Sequence, residues 1–243
     1  MELKKARGER VFVIGDIHGC IRETEALLVH LERKQQLSTR DLVVFLGDYI
    51  DRGEDSRQVI EMLLNFRRHF PDTVFLQGNH EDMFLGYLGV GGRLGEVYLQ
   101  NGGVETIHSY GISVYDYPEV VIEAMPKAHL DFLANLDSVV EIDDFICVHA
   151  GLNPNRPLDR QTEEDMFWIR DEFINQNHEF GKTVLFGHTP FKEVLIHMPY
   201  KIGLDTGLVY NNKLTCLELT TATVFQVARG ATKVKKYPMK KFV

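Results

Sequence analysis

Arg10-Val11-Phe12-Val13-Ile14-Gly15-Asp16-Ile17-His18-Gly19 is a β-branched and aromatic run that stops at a glycine and then presents an aspartate and a histidine. A continuous apolar run of this length, bounded by glycine, predicts a strand buried on both faces that feeds a loop. The same device follows in Asp41-Leu42-Val43-Val44-Phe45-Leu46-Gly47-Asp48, which opens the signature Gly47-Asp48-Tyr49-Ile50-Asp51-Arg52-Gly53. Between the two runs, residues 21–37 place Leu27, Leu28 and Leu31 at helical spacing with charges between them. Strand, amphipathic helix and strand make a βαβ unit.

Outward from this unit the pattern repeats. Residues 56–70 predict a helix capped by Ser56, residues 73–77 a third strand, and Gly78-Asn79-His80-Glu81 the loop after it. Residues 138–143 and 145–148 predict a hairpin delivering His149-Ala150-Gly151. Residues 126–136 and 162–173 predict helices, and residues 183–186 a strand ending in Gly187-His188-Thr189. Residues 214–219 and 223–228 predict antiparallel strands. The polar signatures recur at strand C-terminal ends, where open α/β sheets place their sites. Residues 86–124, rich in glycine turns, predict a helical and loop-rich insertion near the site mouth that tunes substrate choice. With no linker or repeat, residues 1–243 are expected to form one α/β domain.

Composition agrees. The 243 residues are 44% hydrophobic, enough for one large core. Cys20, Cys147 and Cys216 are odd in number and widely spaced, so neither a disulfide framework nor a thiolate zinc site is indicated. A reducing cytoplasm, no signal peptide and no membrane span are expected. The net charge of −8 includes five lysines within residues 233–243, so the remaining body carries −13 and repels nucleic acid. The basic tail at 233–243 reads as a solvated end.

Asp16, His18, Asp48, Asn79, His149 and His188 form a mixed oxygen and nitrogen donor set. Imidazole shifts such a set toward manganese, iron or zinc and away from calcium or magnesium. Two divalent cations about 3.5–4 Å apart need an anionic group between them, and Asp48, midway in the series, is the natural bridge. Asp16 and His18 complete the first cation's ligands; Asn79, His149 and His188 hold the second. A solvent oxygen between the ions becomes acidic enough to act as the nucleophile. Any one of these residues alone is an ordinary turn former or packed imidazole. His30, His69, His108, His129, His178 and His197 lie outside the signatures and read as surface or core histidines, and Cys20 reads as a packed thiol.

The motifs GDIHG, GDYIDRG, GNHE, HAG and GHT, in this order over residues 15–189, resemble the phosphoprotein phosphatase branch of the calcineurin-like metallophosphoesterases. Leu204-Asp205-Thr206-Gly207 resembles that family's closing segment. The resemblance implies a central β-sandwich of two mixed sheets flanked by helices. It also implies a dinuclear manganese- or iron-type centre and direct attack of metal-bridging hydroxide on a phosphate ester. The ligand set above matches the family's. The resemblance further implies that His80 is the general acid, oriented by Asp51, and that Arg52 and Arg170 hold the phosphate. Asn153 and Tyr210 read as packing or loop residues.

The leading expectation is hydrolysis of phosphoserine or phosphothreonine, and of phosphotyrosine, in a protein or peptide substrate. The alternative is a dinucleoside tetraphosphate hydrolase, whose relatives share most of these motifs. Asp51 favours the first, because a serine alkoxide needs protonation by an oriented acid whereas a nucleotide phosphate leaves without it. A catalytically silent phosphate-binding module would lack a ligand or the acid, and neither is missing. The acidic body argues against a nuclease. Little sequence follows the closing strands, so no regulatory subunit is implied.

Overall fold

The computed structural model describes residues 4–239. After a short strand β1 (Lys4–Lys5), the chain runs through β2 (Val11–Ile14), α1 (Ile21–Lys34), β3 (Leu42–Phe45), α2 (Ser56–His69) and β4 (Val74–Phe75). β2, β3 and β4 pair in parallel, Ile14 beside Phe45 and Phe45 beside Phe75. Along β2 every residue is buried, but alternate side chains join different cores: Phe12 and Ile14 pack under α1 and α2, while Val11 and Val13 face a second sheet. That is why this strand reads as a continuous apolar run.

Helices α3 (Asn79–Leu88), α4 (Gly103–Ser109), α5 (Pro118–Ala124) and α6 (Lys127–Ala134) follow, with short 3₁₀ turns at Gly95–Val97 and Leu99–Asn101. β5 (Val139–Ile142) and β6 (Phe145–Val148) form the expected hairpin, in register Val139 to Val148. α7 (Glu163–Trp168), α8 (Asp171–Asn175), β7 (Thr183–Phe186), β8 (Leu195–His197) and β9 (Lys201–Gly203) precede β10 (Lys213–Glu218), β11 (Thr223–Ala228) and β12 (Val234–Pro238). One sheet has the order β1-β5-β6-β7-β9-β8 and the other β12-β11-β10-β2-β3-β4. Both are mixed, and the apolar layer between them holds Val13, Val44, Leu46, Val140, Leu185 and Leu217. Helices cover the outer face of each sheet, giving the α/β sandwich expected from the resemblance.

Three local expectations are corrected. Ser56 does not cap α2: its hydroxyl accepts from the Asp51 backbone N–H at 3.1 Å, and Asp55 holds the cap position. Residues 162–173 are two helices rather than one, broken at Ile169 and Arg170. The basic tail is partly a strand, because β12 pairs antiparallel with β11 and Lys236 Nζ reaches Gln35 Oε1 at 3.1 Å. Lys240 and Lys241 lie outside the described residues. Among the described residues no helix is long and apolar enough to cross a membrane.

Candidate active site

Loops following β2, β3, β4, β6 and β7 converge at one end of the sandwich. The backbone there is held in an unusual state. His18, Asp48, Asp51, Arg52 and His188 all have positive φ, between 47° and 73°, although none is glycine. Such residues persist only where the surroundings fix them, and they cluster at functional sites. The glycines between them permit close approach: a Cβ on Gly78 would collide with Asp48 Oδ1, and one on Gly187 with Asp16 Oδ1.

Glu81 fixes two of these loops at once. Its buried carboxylate accepts from the backbone N–H of Asp48 (3.0 Å), Tyr49 (2.8 Å) and Gly78 (2.9 Å). Burial, followed by the charge of Asp48, raises its pKa, while the N–H donors of Tyr49 and Gly78 favour the ionised form. In the sequence Glu81 lies within the Gly78-Asn79-His80-Glu81 signature without an assigned role. A carboxylate is the side chain that can accept several N–H donors and donate none, which is the only available signal.

The six proposed metal ligands are all buried; Asp16 Oδ2 accepts from the His188 N–H at 2.9 Å, and His188 Nδ1 lies 2.8 Å from Asn79 Oδ1. His18, Asp48 and His80 form one group of donor atoms within 4.8 Å of one another; Asp48, His149 and His188 form a second, so Asp48 is common to both. The imidazole orientations suit a cation. His18 Nδ1 lies 3.0 Å from the Ile50 carbonyl and His149 Nδ1 lies 2.8 Å from the Leu46 carbonyl, so each Nδ1–H donates there and leaves Nε2 a lone pair. His149 Nε2 then faces Asn79 Oδ1 at 3.1 Å and Asp48 Oδ1 at 3.4 Å, an acceptor opposed by two acceptors. Burial lowers His18, His149 and His188 below the usual imidazole range, so protonation does not relieve the conflict. Asp16 Oδ1 and His188 Nε2 are buried without a hydrogen-bond partner among the described residues. A divalent cation resolves such an arrangement, and neutral imidazoles with ionised carboxylates are the forms it requires. Asp48 favours the ionised form, its carboxyl lying below the usual range although burial opposes ionisation.

His80 sits beside this cluster with its ring edge toward His18, centroids 4.7 Å apart. Its Nδ1 is 2.6 Å from Asp51 Oδ2, and its Nε2 is buried without a partner. Burial disfavours the charged ring, yet Asp48 and the bond to Asp51 outweigh it and raise His80 above the ordinary imidazole range.

The two arginines arrive differently. Arg52 follows Asp51, and its guanidinium donates to His18 Nε2 at 2.8 Å. It also lies 5.5 Å over the ring of Tyr210, a turn residue that is 55% exposed. Arg170 stands at the break between α7 and α8. A capping box between Thr162 and Asp165 starts α7, and Trp168 Nε1 donates to Asp82 Oδ2 at 3.1 Å at its end. Arg170 then donates to the His188 carbonyl (3.2 Å) and Thr189 Oγ1 (3.3 Å), next to the metal cluster. Asn153 remains a loop residue, its N–H bonded to Gln161 Oε1. Cys20 is buried, its Sγ donates to the His18 carbonyl, and burial pushes its thiol up to about 12, which suits packing and not nucleophilic attack. Asp205, unassigned from sequence, is buried within the field of Asp48 and is pushed up to about 6, chiefly by desolvation.

A family model described as calcineurin-like phosphoesterase matches residues 9–216, most of the chain. The chain belongs to this family. Within the calcineurin-like phosphoesterases it is similar to the asymmetrical bis(5'-nucleosyl)-tetraphosphatase PrpE of Oceanobacillus iheyensis, 24% identical over 90% of this chain and 92% of the relative. A solved candidate diadenosine tetraphosphatase superposes with a TM-score of 0.68 at 22% identity, covering 94% of this chain and 99% of its own. A cold-active protein tyrosine phosphatase superposes with a TM-score of 0.61 at 17% identity, over 97% of this chain and 81% of its own. The calcineurin-like fold and a metal-dependent phosphoesterase activity are thus established for the family to which the chain belongs, and its clustered donor groups imply divalent metals.

Proposed function

We propose that the chain hydrolyses phosphate monoesters of poor leaving groups, phosphoserine and phosphothreonine foremost and phosphotyrosine after them. The observation that carries this reading is the buried contact of His80 Nδ1 with Asp51 Oδ2 at 2.6 Å, which leaves Nε2 free to hold a proton. Asp51 accepts the Nδ1–H, fixes the ring and favours its charged form. Nε2–H then donates to the departing oxygen, which matters most when that oxygen is an alkoxide. Arg52 and Arg170 grip the phosphoryl oxygens, Arg52 from inside the site and Arg170 from its exposed rim. Asp16, His18 and Asp48 would hold one cation and Asp48, Asn79, His149 and His188 a second, manganese foremost, with iron or zinc as alternatives. Bound there, two such ions supply Lewis acidity and a water acidified toward hydroxide.

A second reading is favoured by the curated relative: a dinucleoside tetraphosphate as substrate, cleaved asymmetrically. The same ligands and arginines serve it, and the exposed ring of Tyr210 beside Arg52 offers a stacking surface for a base. A product-resolved assay separates the two. The manganese-loaded protein is given a phosphothreonine peptide and diadenosine tetraphosphate in parallel, and kcat/KM is compared. The proposal expects the peptide to be preferred, with free phosphate released. Preference for the dinucleotide would transfer the function to nucleotide hydrolysis while keeping the metal site.

A further inference from the structure

Residues 86–124 do more than border the site: they reach the far side of the His80–Asp51 pair. While Asp51 Oδ2 faces His80, Asp51 Oδ1 accepts two hydroxyl hydrogen bonds, from Tyr98 Oη at 2.7 Å and Thr106 Oγ1 at 2.7 Å. The Asp51 N–H also points to Thr106 Oγ1 at 2.9 Å, and Thr106 lies 2.9 Å from Ser56 Oγ. Tyr98 and Thr106 are both fully buried. The Tyr98 ring is gripped between Phe84 and Tyr87, with centroids 5.3 Å and 5.2 Å away, and a Cβ at Gly103 would press on it at 2.5 Å.

We infer that Tyr98 and Thr106 are positioning residues for the proton donor, holding the Asp51 carboxylate in the one rotamer that aims Oδ2 at His80. The chemistry is one-directional. The two hydroxyls that donate to Oδ1 occupy that oxygen, and the ionised Asp51 then offers Oδ2 to the imidazole N–H. His80 Nδ1 must then donate, so its transferable proton sits on Nε2. The two oxygens of an ionised Asp51 are equivalent, so it is the hydroxyl donors that set which one meets His80. The same segment fixes the neighbouring phosphate grip, since the Arg52 N–H donates to the Gly102 carbonyl at 2.9 Å. The insertion therefore completes the acid.

This inference rests on His80 being the leaving-group acid, so His80→Asn is measured beside the new variants. Tyr98→Phe, Thr106→Val and Thr106→Ser are assayed for kcat and KM on phosphoserine, an alkyl ester, and on p-nitrophenyl phosphate, an aryl ester with a good leaving group. Each is made in the wild type and in Asp51→Asn. Tyr98→Phe and Thr106→Val are each expected to lower kcat on the alkyl ester about tenfold more than on the aryl ester, with KM within about twofold. Thr106→Ser, which keeps the hydroxyl, is expected to recover the alkyl activity. In Asp51→Asn the further loss from either variant should be under about twofold, because residues acting through one group are not additive. Equal losses on both esters, or full losses persisting in Asp51→Asn, would overturn the inference while a leaving-group-selective loss in His80→Asn keeps the acid assignment. Equal losses in His80→Asn as well would overturn both.

Discussion

His80 Nδ1 lies 2.6 Å from Asp51 Oδ2, and both side chains are buried, at 1% and 0% exposure. A charge-assisted bond this short in a dry setting couples the two groups tightly, so Asp51 sets how easily the ring gives up its proton.

The sign of that coupling is testable by pH. Burial pulls His80 toward the neutral form, and Asp48 with Asp51 pulls it back above the usual range. Asp51→Asn removes one of the two counter-charges and so lowers His80. The protonated acid then disappears at a lower pH, and the alkaline limb of kcat on an alkyl phosphate should move to lower pH. An alkaline limb that stays in place would show that another group controls it.

Glu81 is the clamp between the Asp48 and Asn79 loops, and its chemistry is strict. Glu81→Gln has the same shape but turns an NH₂ toward backbone N–H donors that currently meet a carboxylate oxygen. One buried mismatch of this kind costs about 1–3 kcal/mol. Denaturant unfolding of the metal-free protein should show a loss of that size, accompanied by weaker metal retention because Asp48 and Asn79 are no longer held in register. Unchanged stability would mean the loops are held by other contacts.

Among the described residues the exposed Arg170 side chain is bonded to the His188 carbonyl and Thr189, so its removal should leave the fold intact. Arg170→Ala is expected to raise KM for a phosphomonoester about tenfold, the size of one lost charge-assisted bond, with a smaller change in kcat. Unchanged KM would remove it from the phosphate grip.

The strands were legible because β2 and β3 are buried on both faces, so their residues had to be apolar throughout. The candidate metal-binding residues were legible because they sit at the ends of those strands within short, polar, glycine-bounded signatures. What stayed hidden depends on contacts distant in the chain. Tyr98 and Thr106 meet Asp51 across 47 and 55 residues, and a tyrosine or threonine in a loop-rich stretch carries no local mark of such a partner. The break at Ile169 and Arg170 contains neither glycine nor proline. Trp168 is tied to Asp82, and Arg170 to His188, so tertiary contacts override an otherwise continuous helical pattern. The pairing of β12 was hidden for a related reason: Lys235 and Lys236 lie on an exposed edge strand, where lysine is common and looks like a solvated end.

Whether Asp48 joins two cations at a phosphoester-cleaving site is decided by metal stoichiometry. Cations bound per chain are counted by plasma mass spectrometry in wild type and Asp48→Asn, alongside turnover of p-nitrophenyl phosphate. Two cations and efficient turnover are expected for the wild type, with both metal content and turnover lost in Asp48→Asn. A variant that keeps the full metal complement and normal turnover would contradict the account.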